Sequence, residues 1–416
     1  MPAFLRASEE ANRADEEETP AAALVSEQKQ SLQKMPQDDE EEDVTTKVVV
    51  AEEEPENDFE DDESLVSESE SERSELDSPW EKAESLAAAE HRELLVEELV
   101  WRGVPRGRRR REWLRLSGAD ALAQREGLEN ALSAPPLLLL KDDELAQLLP
   151  TRIRADIEVD VPRAGARGID ARRRLKRVLL ALAARQPVTM GYCQGLNVIA
   201  ATTLKGLGGN DARDEYAAYW LLAVLTEERC KGWWDADFAA LRHDVSELCM
   251  RAATPDDEAS DWTRVRRVWT ATTTTTPLTR EAHNSSDSEK RTTPAQRARL
   301  ATRRLVEEIG APLDLVMSQW LLTIFGHAGG QMAPRSIRLR ALDVAYCAPT
   351  ALPAALGKRP GAAALLALAL AVVAAADLGA HVRDLVEASR SLEQALMGAD
   401  AADGLFDILS QIYCTA

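Results

Sequence analysis

Residues 170–185 read DARRRLKRVLLALAAR. Leu175, Val178, Leu179 and Leu182 recur at three- and four-residue spacing, with Arg172, Arg173, Lys176 and Arg177 around them. That is the period of a helix with one apolar face, and Asp170 is expected to cap its start. The same pattern continues outward. Asp211 is expected to cap a second helix, along which Tyr216, Trp220, Ala223, Val224 and Glu227 share one side. Leu315, Gln319 and Leu322 repeat the spacing further on. Upstream, Leu94, Leu95, Glu98 and Leu99 open an amphipathic stretch that stops at Gly103-Val104-Pro105. The run Gly361–Ala376 is apolar and alanine-rich. It is shorter than the ~20 residues a membrane-spanning helix needs, so a buried core helix is expected. Alternating strand patterns are scarce, and the class implied is all-α.

Charge divides the chain. The net charge is −21, and residues 1–80 account for it with 27 acidic and 6 basic residues. The rest carries 44 of each sign, so the acidity says nothing about the folded part. The acidic runs Asp38–Asp43, Glu52–Glu56 and Asp58–Glu63 lead into the Ser/Glu run Ser64–Ser78. Such a segment has too little apolar surface to offset chain entropy, so residues 1–79 are expected to be a disordered acidic tail. Ser67, Ser69 and Ser71 stand before acids, and phosphorylation there would add further negative charge. A second irregular segment, 252–295, holds the run Thr272–Thr276 and few apolar residues. It reads as a flexible insertion with a short helix at Trp262–Trp269, because the entropy of closing a loop grows slowly with length. The folded domain is therefore expected over residues 80–416.

Several chemistries are excluded. Five cysteines, odd in number and widely spaced, with no Cys-x-x-Cys, argue against a disulfide framework and a zinc site and fit a reducing cytosol. The N-terminus lacks a long apolar core, so no signal peptide is expected. The histidines are scattered, and His91-Arg92-Glu93 has no Cys-x-x-Cys to complete a deaminase-type zinc site. No Gly-x-Ser-x-Gly elbow and no phosphate-binding Gly-x-x-x-x-Gly-Lys-Ser/Thr loop occurs. No metal or cofactor of the chain's own is expected. The run Arg106–Arg111 reads as a solvated helix face, or as a surface for acidic protein or anionic lipid. It lacks the interleaved aromatic residues of a nucleic-acid binder, and no nucleic-acid partner is expected.

Two short strings flank the basic helix. One is Ile157-Glu158-Val159-Asp160-Val161-Pro162-Arg163 and the other is Gly191-Tyr192-Cys193-Gln194-Gly195-Leu196-Asn197. Each sets a long polar side chain beside proline or glycine, where the backbone turns. Read singly, Arg163 is a surface arginine and Gln194 an amide at a helix start.

Together they resemble the TBC domain of Rab GTPase-activating proteins. Ile157, Asp160 and Arg163 fit the family's I-x-x-D-x-x-R, and Tyr192, Gln194 and Gly195 its Y-x-Q-G, with Asn197 following. Gly103-Val104-Pro105 with Arg109 and Trp113 is similar to the family's opening block. Lys231–Asp244 and Ser318–Phe325 fall where two later blocks belong. The match runs over about residues 93–376. Three places depart from the pattern: Ala164 stands where threonine is common, Arg108 replaces the leucine of the opening block, and Arg340-Ala341-Leu342-Asp343 lacks the aromatic of R-I-W-D.

The resemblance implies a two-subdomain helical domain, cytoplasmic and compatible with peripheral attachment to endomembranes. It implies a GTPase activator in vesicle trafficking, whose partner is a GTP-loaded Rab-type GTPase that brings GTP and Mg²⁺. Arg163 would be an arginine finger that offsets charge on the phosphoryl oxygens, and Gln194 a glutamine finger that positions water. Asp160, Tyr192, Gly195 and Asn197 would support them, and Arg109 would meet the partner. The alternative is a TBC-like scaffold that binds a GTPase, or tethers a complex, without accelerating hydrolysis.

Overall fold

The computed structural model describes residues 79–83, 99–186, 191–209, 211–235, 237–253, 294–309, 313–328, 331–348, 359–376, 378, 382, 384–398 and 404–408. The expected tail (1–79, all but its last residue), most of the expected insertion at 252–295 and its short helix at 262–269 lie outside them.

The described residues are helical almost throughout. The helices used below are α1 (Arg109–Ser117), α2 (Ala119–Arg125), α3 (Pro136–Leu139), α4 (Asp142–Gln147), α5 (Thr151–Asp160), α6 (Ile169–Arg185), α7 (Leu196–Leu207) and α8 (Ala212–Val224). They continue as α9 (Ala239–Ala253), α10 (Pro294–Arg303), α11 (Leu313–Leu322), α12 (Arg335–Cys347), α13 (Pro360–Ala375) and α14 (Leu385–Met397). Among the described residues, strand is confined to one antiparallel pair, β1 (His327–Ala328) with β2 (Gln331–Met332), in which His327 faces Met332 and Ala328 faces Gln331.

The apolar stripe of α6 is buried at Leu175, Val178, Leu179 and Leu182, while Arg172 and Arg173 face solvent. Its start differs from the sequence expectation. Gly168 occupies the N-cap, and Asp170 lies inside the first turn, where a carboxylate still favours the positive helix end. The Asp211 cap is as expected: its carboxylate accepts the Asp214 amide at 2.8 Å. The polar side of α6 is tied down by Arg177, which donates to the Leu138 carbonyl at 2.8 Å and to Glu215 at 3.3 Å. α7 is buried along nearly its whole length. At its far end the chain approaches α1 so closely that a Cβ on Gly206 would lie 2.4 Å from the Trp113 ring, leaving no room for a larger residue.

α6, α7 and α8 pack against one another, and α8 also packs on α1 and α2. A second group is formed by α9, α10, α11 and α13, with α14 on α13. α13 is apolar on every side and buried from Gly361 to Ala374, as a helix enclosed by others must be. α12 joins the groups, packing on α13 on one side and on α1 and α7 on the other. Arg229, buried in the π-turn Leu225–Arg229 that ends α8, donates to the Ala345 and Ala348 carbonyls at 2.5 and 2.8 Å. A cation there satisfies acceptors that the end of α12 would otherwise leave open.

The join centres on Asp343, which is 0% exposed. Its carboxylate accepts the Val104 amide at 3.0 Å, the Trp113 indole at 2.7 Å and the Arg109 guanidinium at 3.2 Å. The departure at Ala341-Leu342 therefore leaves the polar end of the block intact, and Leu342 is buried in the core.

These donors also correct one expectation. Arg109 is 8% exposed and is paired with Asp343, so its guanidinium has no free face for a partner. Removing one member of a buried ion pair strands the other charge. Asp343→Ala is expected to destabilise the domain by about 3–5 kcal/mol, read from the urea midpoint at unchanged slope.

Candidate functional site

The site is built where α5 ends and α7 begins. α5 runs to Asp160 and tightens into a 3₁₀ turn, Val161–Ala164, with Pro162 at its second position. Proline fits there because the first helical amides need no partner within the helix. Val161 and Ala164 point inward and are buried, and Arg163 between them points out with its side chain 65% exposed. Burial of Ala164 also explains how the turn does without the family's threonine. A hydroxyl at this position would need a buried partner, whereas a methyl group simply packs.

Asp160 organises the surroundings. It is 6% exposed. Tyr192 donates its hydroxyl to Asp160 Oδ2 at 2.9 Å, and Arg163 Nη1 lies 3.6 Å from Oδ1. The Asp160 backbone carbonyl accepts Asn197 Nδ2 at 2.9 Å, and Asn197 Oδ1 accepts the Gly195 amide at 3.1 Å. One residue thus holds both strings. Gln194 stands exposed between the two anchor points, Tyr192 and Gly195. Tyr192 packs its ring against the core and reaches Asp160 with its polar end.

Gly195 has a positive φ of 108° and serves as the N-cap of α7. A Cβ there would lie 2.8 Å from the Leu322 carbonyl oxygen, so both conformation and space select glycine. That carbonyl accepts the Trp234 indole at 3.0 Å. The wall behind Gln194 is therefore made by the two later sequence blocks. Ile324 and Phe325 follow with φ of 48° and 55°, strained for non-glycine residues. Both are buried, and the Phe325 amide donates to the Trp320 carbonyl at 2.6 Å, which holds the bend. β2 meets the arginine turn: a Cβ on Gly165 would lie 3.1 Å from Met332 Sδ.

Sequence reasoning missed this wall. Trp233, Trp234 and Trp320 are all buried. That the Trp234 indole fixes a carbonyl behind the glutamine has no signal in periodicity.

The electrostatics at the same turn disfavour the Cys193 thiolate. Burial, and then the Asp160 charge, push the Cys193 thiol up to about 12. Burial and the same carboxylate raise Tyr192 as well, so its hydroxyl keeps the proton it donates. Burial and the nearby Arg338 lower His327. Among the described residues no cluster of His, Cys, Asp or Glu could hold a metal ion.

The arginine run is mostly engaged within the chain. Arg110 pairs with Asp214, and Arg111 and Arg115 share the buried Glu112 at 2.7 and 2.8 Å. Arg110, Arg111 and Arg115 line an open groove of about 1000 Å³ with Arg106, Asp120 and Gly208. It lies at the Leu207 end of α7, whereas Gln194 lies at the Leu196 end.

Two outcomes follow. Tyr192→Phe leaves the buried Asp160 short of a donor and is expected to lower stability by about 1–3 kcal/mol in urea denaturation. With its pKa raised, Cys193 has little thiolate at pH 8. Its alkylation by iodoacetamide at pH 8, followed by peptide mass spectrometry, is expected to run at least ~10-fold slower than that of a free cysteine, and to keep rising with pH above about 9, where a free thiol levels off.

Residues 108–255 match the model of the Rab-GTPase-TBC domain. Small G protein signaling modulator 3 of Homo sapiens is 30% identical over 159 residues, and that of Mus musculus is 30% identical over 161. Each alignment covers 36% of this chain and 19% of the relative, so the chain spans about a fifth of the length of these relatives. Among solved structures, the Chlamydomonas flagellar RabGAP TBC domain superposes with a TM-score of 0.49 at 17% identity, covering 84% of this chain and 95% of that one. The Ypt/Rab-GAP domain of Gyp1p gives 0.47 at 13% identity, covering 81% and 97%. Among the described residues no helix is long and apolar enough to cross a membrane. Residues 108–255, which hold Asp160, Arg163, Tyr192, Gln194 and Asn197, are a match to the Rab-GTPase-TBC domain family, the one that the ordered sequence blocks resemble.

Proposed function

We propose that this chain accelerates GTP hydrolysis on a Rab-type small GTPase, within vesicle trafficking, by presenting Arg163 and Gln194 to the partner's nucleotide. The observation that supports this most is the double hold of Asp160. Two exposed polar side chains rise from segments fastened to one buried residue, Arg163 three positions after it and Gln194 two after Tyr192.

The residue types suit the task. A guanidinium stays charged and forks its donors toward phosphoryl oxygens, where charge builds in the transition state. A carboxamide accepts from the attacking water and donates to phosphate at once. At 3.6 Å, with the Arg163 side chain 65% exposed, the Arg163–Asp160 pair is held weakly, and Asp160 keeps the Tyr192 hydrogen bond when the guanidinium turns to a phosphate. With no phosphate loop in the sequence, nucleotide and Mg²⁺ arrive with the GTPase.

Single-turnover GTP hydrolysis across a panel of Rab proteins tests the reading. The full chain is expected to accelerate at least one member. Arg163→Ala and Arg163→Lys are each expected to remove about 10³-fold or more of that acceleration, with an unchanged circular dichroism melt. Gln194→Ala is expected to reduce it severely. If wild type binds a GTP-loaded Rab and never speeds hydrolysis, the chain is a scaffold instead.

A further inference from the structure

Among the described residues, five large apolar side chains stand exposed: Leu139, Val159, Ile169, Leu300 and Val306. Two of these bracket Arg163. Val159 lies four residues before it and is 52% exposed, and Ile169 lies six residues after it and is 79% exposed. Single exposed apolar residues are ordinary, but a pair on both sides of one functional turn is not a random scatter.

The fold does not require them. Ile157, two positions before Val159, is 0% exposed, as is Ala171, two positions after Ile169. Two residues along a helix is about 200° of rotation, so Val159 and Ile169 face away from the side that packs. A polar residue at either point would satisfy the helix equally well. β-branched side chains are also stiff, so ordering them against a partner costs little entropy.

Their setting is basic. Residues 151–176 carry eight Arg or Lys against four Asp or Glu, whereas residues 81–416 as a whole are balanced. Arg163, Arg167, Arg172 and Arg173 are all exposed within this stretch. Asp156, Glu158 and Asp170 are the exposed acids, and Glu158 is paired with Lys176.

We propose that Val159 and Ile169 are apolar anchors that bury against the GTPase beside its nucleotide site, and that the surface they select is an apolar spot ringed by acidic groups. This rests on the function proposed above and names the residues that choose among GTPases. The basic ring would speed encounter and the anchors would slow release.

The test uses the full chain and the GTPase it binds best, loaded with a non-hydrolysable GTP analogue for Kd and with GTP for turnover. Ile169→Asp and Val159→Asp are each expected to raise Kd and KM about tenfold while kcat stays within about twofold. Ile169→Leu is expected to restore Kd. Leu300→Asp and Val306→Asp, at exposed apolar positions away from this turn, are expected to leave Kd unchanged. Raising salt is expected to lower kcat/KM through the basic ring. Unchanged Kd in both Asp variants overturns the proposal, as does a loss confined to kcat. Tight binding that depends on Ile169 without faster hydrolysis overturns the catalytic reading and upholds the anchors. No binding of wild type to any GTPase overturns both.

Discussion

A carboxylate taken out of water must be surrounded by donors, and this requirement shapes the molecule at Asp160 and Asp343. Around Asp343, the donors are the Val104 amide, the Arg109 guanidinium and the Trp113 indole. Together they lock the opening block of the sequence onto α12, more than 200 residues away. Around Asp160, the donors come from the two strings that flank α6. The first carboxylate joins the two helical groups. The second brings two exposed side chains onto one support. Neither arrangement survives loss of the charge without leaving a buried donor or acceptor unmet.

Between these points runs α7. Its twelve residues span about 18 Å, with Gly195 at one end and Gly206 near the other. The two glycines answer different demands. Gly206 lets the Trp113 ring sit against the helix, and Gly195 takes a positive φ under the Leu322 carbonyl. Trp113 itself donates to Asp343, so the helix that follows Gln194 is packed directly against the central join. The strained Ile324-Phe325 bend is tolerated because its side chains are buried and its amides are bonded. For the proposed function, a fixed wall of this kind suits a glutamine that would hold a water in place rather than search for it.

Arginine shows how one residue type divides by environment. Arg109 is consumed by the core, Arg110 and Arg115 by neighbouring carboxylates, and Arg163 keeps most of its surface in solvent. In the sequence, Arg109 and Arg163 look alike: each belongs to a short motif with a proline, directly before Arg163 and four residues before Arg109. What separates them is the carboxylate each meets. Asp343 is fully enclosed and comes from a distant helix, whereas Asp160 sits one turn away at the edge of the fold, with its second oxygen already occupied by Tyr192.

Much was legible in the sequence. The spacing of Leu175, Val178, Leu179 and Leu182 determined α6, the Asp211 cap determined the start of α8, and the apolar run at 361–376 determined a buried helix. Local periodicity carries these because each depends on residues within a few turns. The ordered blocks also named Arg163 and Gln194 as candidates, and both face solvent. Three things escaped. The cap of α6 fell to Gly168, because a turn entering with positive φ outranks a nearby carboxylate. Arg109 went inward, because its partner lies 234 residues on. The wall of Leu322, Trp234 and Ile324-Phe325 formed from segments that meet only in space. Sequence alone determined which elements form and which residues could do chemistry. Tertiary structure decided which of those residues are enclosed and which face out, because burial and the pairing of charge depend on contacts that no local pattern encodes.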